Sequence, residues 1–282
     1  MEAALLERAK EAVASVAGDL GLEVENLDVV HSSNTLSLRL LPCDVLVRAA
    51  PVGQRVSAFE VAVVQALCQE RAPVASLDPR VEGRVHERDG FEMTFWSYLQ
   101  PTHDAPSPAT YADALRRLHA AMRRVELQAP HFTERVTAAA DALTDRHRTP
   151  TLDDDRSLLL SSLRGGCDAL LDRGGPDQLL HGEPHPGNVL HTANGPVLID
   201  LETCCHGPVE FDLAHAPESV ALHYPELDPL AVQEARRVVL AMVASWRWDV
   251  LDRFPGGRRH GPRIVDLLRD GPPWPALGAL TP

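Results

Sequence analysis

Three oxygen-bearing side chains in one stretch have the types and spacing for phosphate chemistry. His181-Gly182-Glu183-Pro184-His185-Pro186-Gly187-Asn188 is a polar run whose prolines and glycines forbid a helix. Val189-Leu190-His191, Asn194-Gly195 and then Val197-Leu198-Ile199-Asp200 read as a hairpin. Asn-Gly between short β-prone runs is a strong turn signal, weakened here by Pro196. Such a hairpin is expected to return Asp200 to the side of Asn188, with Glu183 facing both. An amide oxygen and a carboxylate suit a hard cation such as Mg2+. A carboxylate without metal duty can take a proton from a hydroxyl. These are components for phosphoryl transfer. A zinc-hydrolase alternative rests on His181 and His185, whose spacing resembles His-Glu-x-x-His. That motif needs a helix to bring both rings to one face, and Pro184, Pro186 and Gly187 do not permit one.

The elements that must position these groups follow from periodicity. Residues 2–20 carry Leu5, Leu6, Ala9, Val13 and Val16 at helical spacing, closed by Gly18 or Gly21. Strands are expected at Leu27–Val30, Thr35–Leu40 and Val45–Arg48, then a helix over Ser57–Glu70. A hairpin of Val81–His86 and Phe91–Leu99 follows, with Asp89-Gly90 at its tip. This order predicts a small α+β lobe with a five-stranded antiparallel sheet. Gln100–Pro108 is proline-punctuated and reads as a linker. Helices are expected over Ala109–Val125, Thr133–Arg146, Asp153–Leu171, Phe211–Leu222 and Pro229–Leu251, with an irregular tail from Asp270 to Pro282.

The chain resembles the aminoglycoside phosphotransferase family, within the wider kinase-like group that includes choline kinases and protein kinases. Three motifs carry the resemblance: His181-Gly182-Glu183-x-His185-x-x-Asn188, Leu198-Ile199-Asp200-x-Glu202, and Gly207-Pro208-x-x-Phe211-Asp212-Leu213-Ala214. It implies a two-lobed protein-kinase-like fold: a nucleotide-binding lobe over 1–99, a hinge over 100–108, and a helical lobe over 109–282 with catalytic loop and acceptor site. It also implies ATP (or GTP) as co-substrate and Mg2+ held by Asp200 and Asn188. Glu183 stands where the family has its catalytic aspartate; the extra carbon–carbon bond, about 1.5 Å, shifts the carboxylate outward. Arg48 stands at the end of the third strand, where kinases carry a phosphate-contacting lysine, with Glu60 as its ion-pair partner. Arginine is bulkier and always charged, so the exchange is not conservative; the alternative for Arg48 is a solvated edge cation.

Ser33 and Asn34 fall where a phosphate-covering loop belongs, without a glycine-rich signature, and an ordinary turn reads equally well. Ser97, Tyr98 and Leu99 follow the fifth strand, where backbone groups pair with adenine in this fold. His181 is expected to brace the loop, His185 to brace it or touch substrate, and Asp212 to cap the next helix and brace the loop as well. Glu202 approaches a second Mg2+ or is a solvated loop carboxylate. Trp246 and Trp248 are candidates for an acceptor pocket, although their separation does not put them on one helix face.

Composition bounds the rest. A formal charge of −13 argues against nucleic acid or anionic membrane as partner. No apolar run approaches the ~20 residues of a membrane span, and the N-terminus reads as an amphipathic helix rather than a signal peptide. Five cysteines without metal-like spacing suggest reduced thiols and a cytoplasmic location. Lys10 is the sole lysine, so any other phosphate-binding cation must be an arginine. The expected reaction moves the ATP γ-phosphate to a hydroxyl of a small molecule, by a monomer or homodimer. Glu210, Glu218, Glu226, Asp228, Asp249 and Asp252 would suit a cationic acceptor, or plain solvation. The arginine-, alanine- and proline-rich composition connects the acceptor to antibiotics or biosynthetic intermediates by association only. The rival is a non-catalytic nucleotide-binding module, favoured by the departures at Glu183 and Arg48 together.

Overall fold

The computed structural model describes residues 3–32, 35–53, 57–102, 104–152, 154–225, 227–252, 254 and 256–277. Ser33 and Asn34 lie outside the described residues. The chain opens with α1 (Ala3–Asp19), β1 (Val24–Ser32), β2 (Leu36–Pro42), β3 (Val45–Pro51), α2 (Ser57–Gln69), β4 (His86–Arg88) and β5 (Phe91–Ser97). It continues with α3 (Pro108–Met122), α4 (Phe132–Thr144), α5 (Arg156–Arg173), β6 (Gln178–Leu180), β7 (Val189–Thr192) and β8 (Gly195–Leu198). Then follow β9 (Cys205–Gly207), α6 (Val209–Leu213), α7 (Glu218–Ala221), α8 (Pro229–Trp248) and α9 (Gly257–Asp270). Two 3-10 turns, Pro186–Asn188 and Leu201–Thr203, flank the β7–β8 hairpin. The fold divides into two compact units: Met1–Ala105 with Leu190–Glu202, and Pro106–Val189 with Thr203–Pro282.

The first unit is a five-stranded antiparallel sheet in the order β1-β2-β3-β5-β4. Period-two alternation buries Leu36, Leu38 and Leu40 of β2 and Val45, Val47 and Ala49 of β3. On that face Ala9, Ala12, Val13 and Val16 of α1 complete the core, one apolar stripe at helical spacing. Asp89 and Gly90 both have positive φ, 52° and 82°, as a two-residue hairpin tip demands. The strand expected from Val81 is shorter than its composition suggested and begins only at His86. The preceding backbone is satisfied locally instead. The buried Asp78 carboxylate accepts from the Arg80 N–H at 3.0 Å and from its guanidinium at 2.7 and 2.8 Å, while Gln65 donates to the Gly83 carbonyl at 2.8 Å. The β7–β8 hairpin belongs to this unit through Leu198, whose N–H donates to Pro73 O (2.8 Å) and whose carbonyl accepts from Ala75 N–H (3.1 Å).

The second unit is mainly helical. Its core gathers Phe132 of α4, Leu159, Leu163 and Leu170 of α5, Phe211 of α6, and Ala235, Val238 and Val239 of α8. Caps follow local chemistry: Ser107 accepts from Thr110 N–H ahead of Pro108, and Asp228 accepts from Leu230 N–H ahead of Pro229. The helix expected over Phe211–Leu222 is two short ones, α6 and α7, because Pro217 cannot continue a helical hydrogen-bond ladder. The helix α9 was not anticipated, since Gly257, Gly261 and Pro262 argue against it. Burial of Ile264, Val265 and Leu268 in the core overrides that weak local preference.

Two glycines separate helix propensity from packing. Gly18 is exposed near the end of α1 with open space where a Cβ would stand, whereas a Cβ on Gly166 of α5 would stand 2.9 Å from Val238 Cγ2 of α8. Gly18→Ala is expected to gain about 0.5–1 kcal/mol. Gly166→Ala is expected to lose about 1–3 kcal/mol from overpacking, less the propensity gain. Urea unfolding of both variants distinguishes the signs.

Candidate active site

The loop after β6 is held from beneath by one carboxylate. Asp212, fully buried within α6, accepts from the backbone N–H groups of His181 (2.9 Å) and Gly182 (2.8 Å) and from His119 Nε2 (2.9 Å). Burial works against its charge, but the bond from His119 outweighs it and keeps the carboxyl below the usual aspartate range. The expected capping role is not what this side chain performs: Asp212 lies inside α6, whose N-cap is Pro208, and its bonds go to the loop. Gly182 has φ 89°, and a Cβ there would overlap the Thr203 carbonyl, so only glycine fits. Tyr111 donates from its buried hydroxyl to the Pro184 carbonyl at 2.5 Å.

The two loop histidines serve backbone. His181 is fully buried, its Nδ1 accepting from Glu183 N–H at 3.4 Å. His185 Nδ1 accepts from Gly187 N–H at 3.0 Å and opens the 3-10 turn Pro186–Asn188. The backbone from His181 to His185 is irregular, with the 3-10 turn beginning only at Pro186, so no α-helix puts the two rings on one face as a zinc-binding histidine pair requires. Asn188, largely buried, donates from its amide nitrogen to the Glu183 carbonyl at 3.0 Å. That bond orients the amide nitrogen toward the Glu183 carbonyl and leaves Oδ1 available as an acceptor.

Glu183 has a partner that sequence reasoning missed. Arg135 of α4 forks over the loop, donating from NH1 to the Gly182 carbonyl at 3.0 Å and from NH2 to the Glu183 carboxylate. Burial raises the Glu183 carboxyl, yet the Arg135 charge prevails and holds it below the ordinary glutamate range. Nearby, burial pushes His215 down to about 4, leaving a neutral ring bonded through Nδ1 to the Phe211 carbonyl at 3.0 Å.

A second constellation lies in the sheet unit. Arg48 of β3 donates from NH1 to Glu60 of α2 at 2.5 Å and from NH2 to Asp200 at 2.8 Å, with Glu202 at 3.9 Å. Glu60 also accepts from Leu201 N–H at 3.1 Å, tying the segment after β8 to α2. Burial disfavours charge on Arg48, but Glu60 and Asp200 more than offset it, so the guanidinium is held even more firmly protonated. Asp200 has φ 67°, a left-handed conformation that aspartate tolerates better than most residues. Glu202 does not reach Arg48 along a continuing strand: β8 ends at Leu198, and the 3-10 turn Leu201–Thr203 carries it there.

Of the hinge residues, Ser97 has its N–H committed to Ser76 O at 3.0 Å, which removes that donor from adenine pairing. Tyr98 stacks beneath Arg39, whose guanidinium carbon lies 3.9 Å from the ring centroid. Leu99 is partly exposed beyond the strand end. The structure thus brings Arg48, Glu60, Asp200 and Glu202 together in one unit. It brings Glu183, Asn188, His181, His185 and Asp212 together in the other. Among the described residues no three His, Cys, Asp or Glu side chains gather as a metal cage. A cation using Asp200 or Asn188 would draw on few protein oxygens, with phosphate and water completing its shell, as is usual for Mg2+.

A sheet-bound arginine–glutamate pair beside an aspartate, together with a braced polar loop, defines a kinase-like α+β fold. The chain belongs to the phosphotransferase enzyme family, APH, whose model matches residues 30–250. Solved structures agree in fold. A choline/ethanolamine kinase family protein from Mesorhizobium loti superposes with TM-score 0.68 at 16% identity, covering 93% of this chain and 96% of its own. An amicoumacin kinase in complex with AMP-PNP and Ca2+ gives TM-score 0.70 at 13% identity, covering 100% and 98%. The GDP complex of an aminoglycoside 2'-phosphotransferase gives 0.69 at 13%, covering 91% and 97%. No curated protein sequence matches the chain.

Removing the brace should be costly. Asp212→Ala leaves two buried N–H groups and His119 without their acceptor, and is expected to destabilise the protein by roughly 3–5 kcal/mol in denaturant unfolding. Because the folded carboxyl titrates below its unfolded value, about 3.9, its contribution is present above about pH 4 and lost on further acidification. Asp212→Asn should therefore show a shallower loss of stability below pH 4 than the wild type.

Proposed function

We propose that the protein is a small-molecule kinase that transfers the γ-phosphoryl group of ATP, or of GTP, to an acceptor hydroxyl with Mg2+. The observation that carries this reading is the Arg48–Glu60 ion pair with Asp200 on the same guanidinium. It parallels the cation–glutamate pair and metal-binding aspartate on which kinase phosphoryl transfer depends.

In this reading Arg48 moves from Asp200 onto nucleotide phosphate, which suits its fork geometry. Asp200 and Asn188 are each candidates to hold Mg2+, which would supply charge neutralisation for the phosphates. Glu202 is a further candidate metal contact. Tyr98 and Leu99 offer backbone groups to the base. Glu183 accepts the hydrogen bond of the acceptor hydroxyl and orients it. The acceptor oxygen bonds to the γ-phosphorus as the bridging P–O bond breaks, its electron pair leaving with ADP; the hydroxyl proton passes through Glu183 to solvent. Positioning and electrostatics supply most of the acceleration in such a transfer.

The surface acids give no support to a polycationic acceptor. Glu210 accepts from Gly175 N–H, Glu218 pairs with Arg236, Asp228 caps α8, Asp249 pairs with Arg148, and Asp252 pairs with Arg247. Each is engaged in holding the fold, and Glu226 lies outside the described residues. The acceptor class in this reading is an antibiotic or a biosynthetic intermediate. The five cysteines are unbridged, and among the described residues no helix is long and apolar enough to cross a membrane. Both are compatible with the cytoplasmic placement we propose.

The nucleotide-binding alternative draws on one observation: Glu183 is tied to Arg135 and is a weaker base than a free glutamate. Magnesium-dependent thermal stabilisation by ATP or GTP, followed by phosphate transfer across a panel of hydroxylated metabolites, separates the two. The kinase reading expects nucleotide hydrolysis or transfer abolished by Asp200→Ala and reduced about 10²–10⁴-fold by Glu183→Ala. Stabilisation by nucleotide without hydrolysis or transfer would establish the alternative.

A further inference from the structure

Building on the phosphotransferase reading, we propose that Arg135 is a positioning residue that locks Glu183 to its loop and aims its carboxylate at the acceptor hydroxyl. One guanidinium grips two consecutive residues: the Gly182 carbonyl at 3.0 Å and the Glu183 side chain. Gly182 is the loop's left-handed residue, so the grip falls where the chain reverses. Arg135 is itself held, its side chain only 17% exposed and its guanidinium carbon 5.7 Å from the centroid of the Trp246 ring of α8. Glu183 remains 25% exposed, so the pair is braced on the protein side and accessible on the other.

Side-chain length makes the pair specific. An aspartate at 183 would draw the carboxylate back by about 1.5 Å. It would have to leave either the guanidinium or the acceptor position. A lysine at 135 offers a single charged point and cannot reproduce a planar fork over two acceptors. Glutamate and arginine are therefore one unit here, in a family where the loop acid is an aspartate. A displacement of this size at a group that orients the nucleophile ordinarily costs about 10²-fold in rate. The charged and titratable neighbours of Glu183 are Arg135 of α4, His185 of its own loop, His215 after α6 and Cys205 of β9. Among the described side chains only Arg135 is hydrogen-bonded to the Glu183 carboxylate.

The test uses water as acceptor. Release of inorganic phosphate from magnesium-ATP and magnesium-GTP is followed for the full chain and for Asp200→Ala, Arg135→Gln, Arg135→Lys, Glu183→Asp, Glu183→Gln and the double variant R135Q/E183Q. Arg135→Gln should lower kcat roughly 10- to 100-fold with the nucleotide KM unchanged, and Arg135→Lys should restore part of it. Arg135→Gln should have little further effect once Glu183 is glutamine, the non-additivity expected of groups acting as one unit. Glu183→Asp should be slower than the wild type, which keeps the proposal testable if the Arg135 variants do not fold. Equal loss from Arg135→Gln in both backgrounds, or an aspartate variant as fast as the wild type, would overturn it. Hydrolysis abolished by Asp200→Ala but indifferent to Arg135→Gln would sink this inference alone. A wild type that neither hydrolyses either nucleotide nor transfers phosphate to any hydroxylated acceptor would overturn both this inference and the kinase reading beneath it.

Discussion

A buried negative charge must find donors, and in this protein the Asp212 carboxylate finds two of its three in the backbone of the loop above it. That constraint shapes the helical unit. Once the N–H groups of His181 and Gly182 point down at Asp212, the chain must reverse at Gly182, and the next residue is presented outward. Glu183 emerges there, within reach of Arg135, and the loop closes through the Asn188 amide on the Glu183 carbonyl. Hydrogen bonds between charged and neutral partners in a dry setting are stronger than average and costly to leave unmade. The loop's conformation is therefore set before any substrate arrives.

The sheet unit solves a different problem, that of holding several carboxylates near one another. Glu60, Asp200 and Glu202 converge on Arg48, whose planar guanidinium can serve two of them at once. A lysine at this position would satisfy one carboxylate at a time. Asp200 occupies a left-handed backbone conformation to take part, a cost of order 1 kcal/mol that persists only where surrounding contacts fix it. The bonds from Arg48 to Asp200 and from Leu201 N–H to Glu60 are those contacts.

Much of this was legible in the sequence because it is written in local chemistry. Asn194-Gly195 marked the hairpin, Asp89-Gly90 the turn between β4 and β5, and alternating leucines and valines the sheet. The Arg48–Glu60 pair was readable only through the resemblance to kinases, and β3 runs on past Arg48 to Pro51, so the arginine sits in mid-strand rather than at the expected strand end. What escaped depends on distant partners. Arg135 sits in an ordinary amphipathic helix, 48 residues from Glu183 along the chain, and nothing near it announces a role. The late start of β4 reflects the Asp78–Arg80 clasp, which periodicity does not register. The helix α9 forms against its own glycines and proline because the core recruits its apolar face. Asp212 braces the loop as expected but does not cap a helix, because α6 starts three residues before it, at Val209, and places it inside the helix.

The lysine-free β3 has a practical consequence for chemical labelling. Nucleotide analogues that acylate a strand amine mark many kinases, but β3 here carries only guanidinium, and the chain's sole amine-bearing side chain is Lys10 in α1. A reagent built on amine capture would find no side-chain target in β3, whereas a dicarbonyl warhead selective for guanidines would have one at Arg48.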